Sequence, residues 1–259
     1  MSAILFLVVA VYASASYRRN LIWRDSLALW ADSVAKSDGK ARTHYNYGNE
    51  LAMAGRLEEA LREDFRSLEI SSYQPKVYFN IGAIYHYWGY TDKAVENYRR
   101  AVDLKPDFVE AHNNLGFAYY ANGRFDEAMS EFNAAIKYNP SHVKTRMNMA
   151  KVYSARQRFE DAAAQYRMIL EKMPDYAEAH YEIGMIRATQ GDLSAALVEL
   201  NEAVRLNPAF GAAHSALGYV YERQGLMRYS VAEYQNALNI DPRDEDAAKG
   251  LRRVYGRTR

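Results

Sequence analysis

Five prolines recur 34 residues apart, at Pro106, Pro140, Pro174, Pro208 and Pro242. A sixth, Pro75, opens one of the windows that this period defines. A fixed period of this length marks a stack of similar supersecondary units, each burying its apolar face on its neighbours instead of around one central core. Aligned on the period, the chain divides without insertion or deletion into six windows: 41–74, 75–108, 109–142, 143–176, 177–210 and 211–244.

The windows agree in chemistry as well as in length. The third carries His112, Leu115, Gly116, Tyr119, Ala128, Phe132 and Pro140, and the second Tyr78, Ile81, Gly82, Tyr85, Ala94, Tyr98 and Pro106. Small residues at the eighth position (Gly48, Gly82, Gly116, Ala150, Gly184, Gly218) and at the twentieth let two helices approach closely, and larger side chains fill the seam. Gly55, Gly89, Gly123, Gly191 and Gly225 fall where the first helix of each window must end on a left-handed residue. Gln157 holds that place in the fourth window, which predicts a slightly different turn there. Proline closes the second helix, because it cannot continue one. The first window departs most, with Asp64 in place of the aromatic and Ser72 in place of the proline.

This pattern resembles the tetratricopeptide-repeat (TPR) superfamily over residues 41–244. The resemblance implies an all-α fold, a right-handed superhelical solenoid of six helix-turn-helix repeats. Its first helices would line a concave groove suited to holding another protein. Such a stack needs polar ends. Residues 18–40 are expected to form an N-terminal capping helix, with Trp23 to Lys36 laying Leu27, Trp30 and Val34 over the first repeat. Residues 245–259 are expected to form a C-terminal capping helix that opens at Asp244-Glu245-Asp246 and runs through Tyr255. Acids at its start and Arg252, Arg253 and Arg257 near its end suit the helix dipole.

Ahead of the repeats, Ser2 to Ser16 is apolar and uncharged. The run is shorter than the roughly 20 residues that span a bilayer. Ala13-Ser14-Ala15 resembles a signal-peptide cleavage site, but a basic leader is missing. The preferred reading of residues 1–17 is a membrane anchor or the remnant of a membrane helix, with a cleaved signal or a buried segment as alternatives. Tyr17-Arg18-Arg19-Asn20, Trp23 and Leu29-Trp30 lead directly into the repeats. This junction resembles the one before the C-terminal TPR part of bacterial polytopic membrane proteins of glycosyltransferase type. That resemblance implies anchoring in a bacterial inner membrane with the repeats in the periplasm. The arginines after the apolar run argue for the cytoplasmic face as the alternative.

The sixth position of the windows reads Asn46, Asn80, Asn114, Asn148, Glu182 and Ala216. Asparagine is a mediocre helix former, so four in succession on one helix face call for a reason. An amide donates to a peptide carbonyl and accepts from a peptide N–H, which suits an extended ligand read through its backbone. The TPRs of the nucleocytoplasmic O-GlcNAc transferase are similar in carrying an asparagine ladder. The second position adds Arg42, Lys76 and Lys144, and Lys151 lies one turn beyond Asn148. Lys76 and Asn80, Asn114, then Lys144 and Asn148 resemble the carboxylate clamp of chaperone-binding TPRs, although Asn148 stands where that clamp has arginine and Glu110 intrudes. The candidate groove residues are therefore Arg42, Asn46, Lys76, Asn80, Asn114, Lys144, Asn148 and Lys151.

Other functions find little support. The net charge of +1 offers no general basic field for nucleic acid. There is no cysteine for thiolate chemistry or zinc. His44, His112, His180 and His214 share the fourth position but sit a repeat or more apart, too far to share a metal ion. No phosphate-binding loop, dinucleotide fingerprint or nucleophile elbow is present. Catalytic residues, a cofactor and a metal are not expected. The expected function is a non-enzymatic, membrane-tethered scaffold binding an extended peptide or a partner subunit. An accessory or substrate-recognition module of a membrane glycosyltransferase and a self-assembling solenoid are the alternatives.

Overall fold

A computed structural model describes residues 25–257, and among these the chain forms fourteen α-helices and no strand. They fall into two compact units. The first contains α1 (Ser26–Lys36), α2 (Ala41–Met53), α3 (Leu57–Ile70), α4 (Pro75–Tyr87), α5 (Thr91–Leu104) and α6 (Val109–Ala121). The second contains α7 (Phe125–Tyr138), α8 (Val143–Ala155), α9 (Phe159–Leu170), α10 (Ala177–Thr189), α11 (Leu193–Leu206), α12 (Gly211–Arg223), α13 (Met227–Ile240) and α14 (Glu245–Arg257). The boundary falls between Arg124 and Phe125, inside the third 34-residue window. Within each unit every helix packs on the next in chain order. The helices α2, α4, α6, α8, α10 and α12 each begin 34 residues after the one before.

In the second, fifth and sixth windows the twenty-fourth side chain inserts into the cleft left by the glycine at the eighth position. A Cβ on Gly82 would stand 2.7 Å from the Tyr98 ring, and one on Gly218 would stand 2.6 Å from Tyr234. Both distances are below van der Waals contact, so a Cβ at either position would force the ring to shift. Tyr98, Phe132, Tyr166, Leu200 and Tyr234 are all essentially buried, as are the alanines at the twentieth position. Ser230 replaces that alanine once and satisfies its buried hydroxyl by donating to the Gly218 carbonyl at 2.8 Å.

A polar seam recurs beside this apolar one. The ring nitrogens of His44 lie 2.7 Å from a Glu63 carboxylate oxygen and 2.7 Å from the Asp38 carbonyl. His180 meets Glu199 at 2.7 Å and the Pro174 carbonyl at 3.2 Å, and His214 meets Glu233 at 2.6 Å and the Pro208 carbonyl at 3.1 Å. In the fourth window Arg146 fills the same place, donating to the Pro140 carbonyl at 2.6 Å and to Gln165 at 3.1 Å. Each such residue ties the preceding loop to the second helix of its own window. This accounts for the shared position of these side chains without a metal, and among the described residues no group of side chains could hold one.

The turns and ends modify three sequence expectations. The five expected glycines take φ between 70° and 85°, but Gln157 takes φ 59° in the same place. The N–H of Arg158 then donates to the Tyr153 carbonyl at 2.8 Å, just as Arg56 donates to Leu51 at 2.8 Å. The fourth turn is therefore the same as the others, and Gln157 bears the strain. The N-terminal helix starts at Ser26, later than Trp23, because Asp25 caps it by accepting from the N–H groups of Leu27 and Ala28. Leu27 packs on the cluster of Leu51, Ala60 and Ile84, while Trp30 and Val34 are half-buried. The C-terminal helix is capped by Asp244, which accepts from the Ala247 N–H at 2.9 Å, and it extends past Tyr255 to Arg257. Residues 1–17 and the start of 18–40 lie outside the described residues. No described helix is long and apolar enough to cross a membrane.

Asp64 occupies the slot that holds an aromatic ring or leucine in the second, fifth and sixth windows. It is only 1% exposed, its Oδ1 has no hydrogen-bond partner, and that oxygen lies 3.0 Å from where a Cβ on Gly48 would stand. Burial, and then the neighbouring Glu63 charge, push its carboxyl up to about 8.

Two outcomes follow from these local strains. Replacing Gln157 by glycine removes the cost of a left-handed side-chain residue, and urea unfolding should show a gain of about 1 kcal/mol. Between the ordinary carboxylate range and pH 8 the folded chain holds a proton on Asp64 that the unfolded chain has released, so stability falls as pH rises through that window. The slope from this group approaches about 1.4 kcal/mol per pH unit. Asp64→Asn should flatten it, read as urea midpoints at pH 5 and pH 8; an unchanged slope would assign the titration elsewhere.

Candidate peptide-binding surfaces

In the first unit the expected groove residues lie along α2 and α4. Arg42, Asn46, Asn49 and Met53 are spaced to share one face of α2, and Lys76, Asn80, Ala83 and Tyr87 share the matching face of α4. Arg42 and Lys76 are exposed at the N-terminal ends of these stripes, and Asn46 and Asn80 are half-buried one turn further on. At the other end of the stripes a cavity of about 990 Å³ opens, lined by Asn49, Met53, Asn80, Ile84, Tyr87 and Trp88 among others. Asn80 donates from its amide nitrogen to Asn49 Oδ1 at 2.6 Å. The Asn49 amide N–H groups and the Asn80 carbonyl take no part in that bond. Met53 and Tyr87 are 74% and 77% exposed, the highest values for large hydrophobic side chains among the described residues.

Asn114 is placed differently. Its amide nitrogen approaches the Tyr98 hydroxyl at 3.5 Å, and its carbonyl accepts from Asn113 at 3.2 Å. Burial of Tyr98 pushes its phenol up to about 12, so the hydroxyl keeps its hydrogen at neutral pH. Asn114 is thus engaged with the seam, whereas Asn80 lines a cavity. Phe117, one turn beyond Asn114, packs edge-on against His86 with ring centroids 5.6 Å apart.

In the second unit Lys144 and Lys151 are exposed on α8 and Asn148 is half-buried between them. Lys151 faces Glu182 of α10, the residue that interrupts the asparagine ladder. Burial raises the Glu182 carboxyl, while Lys151 and a hydrogen bond from the Tyr166 hydroxyl oppose that shift. The positive charge of Lys151 is therefore partly balanced within the chain. The residues resembling a carboxylate clamp divide between the units, with Lys76, Asn80 and Asn114 in the first and Lys144 and Asn148 in the second.

Asn49 and Met53 were not singled out by sequence reasoning. Their signal is their spacing, three and seven residues after Asn46, which continues the stripe down the same helix face. Tyr87 continues the corresponding stripe on α4, where it stands seven residues after Asn80.

Comparisons with known proteins bear on the fold. A family model described as TPR repeat matches residues 87–123 and 184–225, and two models described as tetratricopeptide repeat match residues 122–181 and 41–63. All begin downstream of the N-terminal junction. No curated protein matches the sequence. Among solved structures, PilW, described as a widely conserved type IV pilus biogenesis factor, is similar at 20% identity and a TM-score of 0.71, over 82% of this chain and 98% of its own. YrrB, described as a TPR protein with an unusual peptide-binding site, is similar at 20% identity and a TM-score of 0.59, over 71% of this chain and 95% of its own. The Cut9–Hcn1 assembly of the APC/C is similar at 17% identity and a TM-score of 0.70, over 87% of this chain but only 45% of that one. The periodic helix pairs, the small-residue seams and the family models over more than half of the chain agree that this is a tetratricopeptide-repeat protein.

Proposed function

We propose that the chain is a non-enzymatic protein-interaction scaffold of six repeats that holds an extended peptide, or an extended segment of a partner subunit, on the first-helix surface of its first unit. The observation that carries this reading is the cavity between α2 and α4, where exposed Met53 and Tyr87 border the paired amides of Asn49 and Asn80. Large exposed apolar side chains next to satisfied polar groups are the composition of binding hot spots. The amides suit the backbone of the ligand, Met53 and Tyr87 suit an apolar side chain, and Arg42 and Lys76 suit an acidic group further along it. The peptide-binding site named for YrrB and the pilus biogenesis role named for PilW are compatible with this use of the fold.

The reading extends to the cell. Residues 1–17 tether the repeats to a membrane, a bacterial inner membrane with the repeats in the periplasm, and the partner is a protein of the same compartment. The apolar, uncharged stretch from Ser2 to Ser16 supports the tether. Deleting residues 1–17 should move the protein from the membrane pellet to the soluble fraction, and continued sedimentation with membranes would remove the tether from the proposal.

Peptides selected from a random phage-displayed library on the immobilised chain provide the groove test. Tyr87→Ala, and separately Asn80→Ala, should raise their Kd at least about tenfold. Lys76→Glu should weaken binding and reduce its salt dependence. Circular dichroism should remain that of the parent. Selected peptides whose affinity ignores all three substitutions would place the site elsewhere.

A further inference from the structure

The second unit carries a cavity of different chemistry. About 470 Å³ in volume, it lies where α10 and α12 meet the start of α14, and it is lined by Tyr181, Met185, Tyr219, Tyr234, Asp244 and Asp246, with Arg253 also present. Its aromatic and thioether walls come from the repeats, and its carboxylates come from the capping segment. None of these residues belongs to the asparagine ladder or the lysine set.

The charge balance of this cavity is set by which groups are already paired. Arg253 donates from Nε and Nη2 to Glu222 at 3.2 Å and 3.0 Å. Glu222 is 7% exposed and also accepts from the Tyr234 hydroxyl at 3.0 Å. Arg253 and Glu222 therefore cancel one another. Asp244 uses one oxygen to cap α14, which leaves its negative charge in place. Asp246 has Lys249 as a neighbour, but Lys249 pairs directly with Glu245 at 2.8 Å. Arg223 donates to the Tyr219 hydroxyl at 2.8 Å and so engages that ring's polar end. Burial raises the Tyr181 phenol first, and the charges of Glu182, Asp244 and Asp246 raise it further, so three carboxylates act on the same wall of the cavity.

We propose that this cavity is a second recognition subsite, which takes the side chain of a lysine or arginine from an extended segment of a protein partner. The methylene stem of such a residue packs on Met185 and the tyrosine rings, as long basic side chains do on apolar surfaces. Its cationic head meets Asp244 and Asp246 and the π-surface of Tyr181. An acidic or phosphorylated side chain would be repelled by those carboxylates, and Arg253, the arginine that lines the cavity, is held by Glu222. A neutral side chain would leave their charge unanswered. The subsite does not depend on the groove between α2 and α4, and its preference for charge is the reverse of the one proposed there.

The test uses the full chain and four fluorescein-labelled peptides with a Gly-Ser background and two central residues that are Lys-Lys, Arg-Arg, Gln-Gln or Glu-Glu. Fluorescence anisotropy should show the lysine and arginine peptides binding at least about tenfold more tightly than the glutamine peptide, with the glutamate peptide weakest. The double variant Asp244→Asn with Asp246→Asn should lose about tenfold for the basic peptides and show a shallower salt dependence. Asparagine retains the helix cap at residue 244, and an unchanged thermal unfolding midpoint confirms that the cap survives. Tyr87→Ala and Lys76→Glu should leave basic-peptide binding unchanged, which separates this subsite from the first groove. The proposal is overturned if no basic peptide binds, if the glutamine peptide binds the unsubstituted chain as tightly, if the double variant keeps full affinity, or if Tyr87→Ala abolishes binding.

Discussion

The insertion of one large side chain into the cleft made by one small residue is the contact on which every other feature depends. Tyr98 against Gly82 and Tyr234 against Gly218 leave no room for a Cβ, so the two helices of a window meet at backbone distance. The next helix then packs on the same layer, and burial of apolar area drives the stack. The capping segment uses the same device, since a Cβ on Gly250 of α14 would stand 2.2 Å from the Tyr234 ring. Tyr234 is thereby enclosed by glycines from two helices. The last apolar layer is closed by a helix that also carries Glu245, Asp246, Lys249, Arg252, Arg253 and Arg257.

The polar seam complements that contact. The fourth residue of a window bridges a backbone carbonyl in the preceding loop and a polar side chain on the second helix. His44, His180 and His214 do so with their two ring nitrogens, and Arg146 does so with its guanidinium where the partner on the second helix is Gln165. The loops at Asp38, Pro140, Pro174 and Pro208 are therefore tied to the helix pairs they lead into. These histidines are structural ties, which explains why a regular array of them coexists with no metal-binding group among the described residues.

With packing assigned to the seams, the remaining chemistry lies on the surfaces of the first helices. The stripe on α2 and α4 runs from basic residues through amides to exposed apolar side chains, a sequence of chemistries suited to one extended ligand. The cavity beside α14 combines aromatic walls with uncompensated carboxylates. Each surface is built within its own unit, and opposite charge preferences are proposed for the two.

The sequence by itself determined the period, the helix pairs, the left-handed turns and the buried positions. These depend on residue size and on local backbone preference, which recur at fixed spacing and are read directly from Gly55, Gly82, Ala94 or Tyr98. The tertiary structure decided how each polar side chain is used, because a hydrogen bond depends on distances between helices that spacing does not encode. Asn80 and Asn114 are equivalent in the repeat, yet Asn80 joins Asn49 at a cavity and Asn114 turns to the Tyr98 hydroxyl. Spacing puts Lys151 one turn beyond Asn148, and only the packing of α10 sets Glu182 within electrostatic reach of it. Gln157 was expected to alter its turn and instead adopts the glycine conformation, since the surrounding helices impose it. The acid-rimmed cavity was the least legible feature, because its walls come from Tyr181 and Tyr219 and its charges from Asp244 and Asp246, which only the packing of α14 brings together.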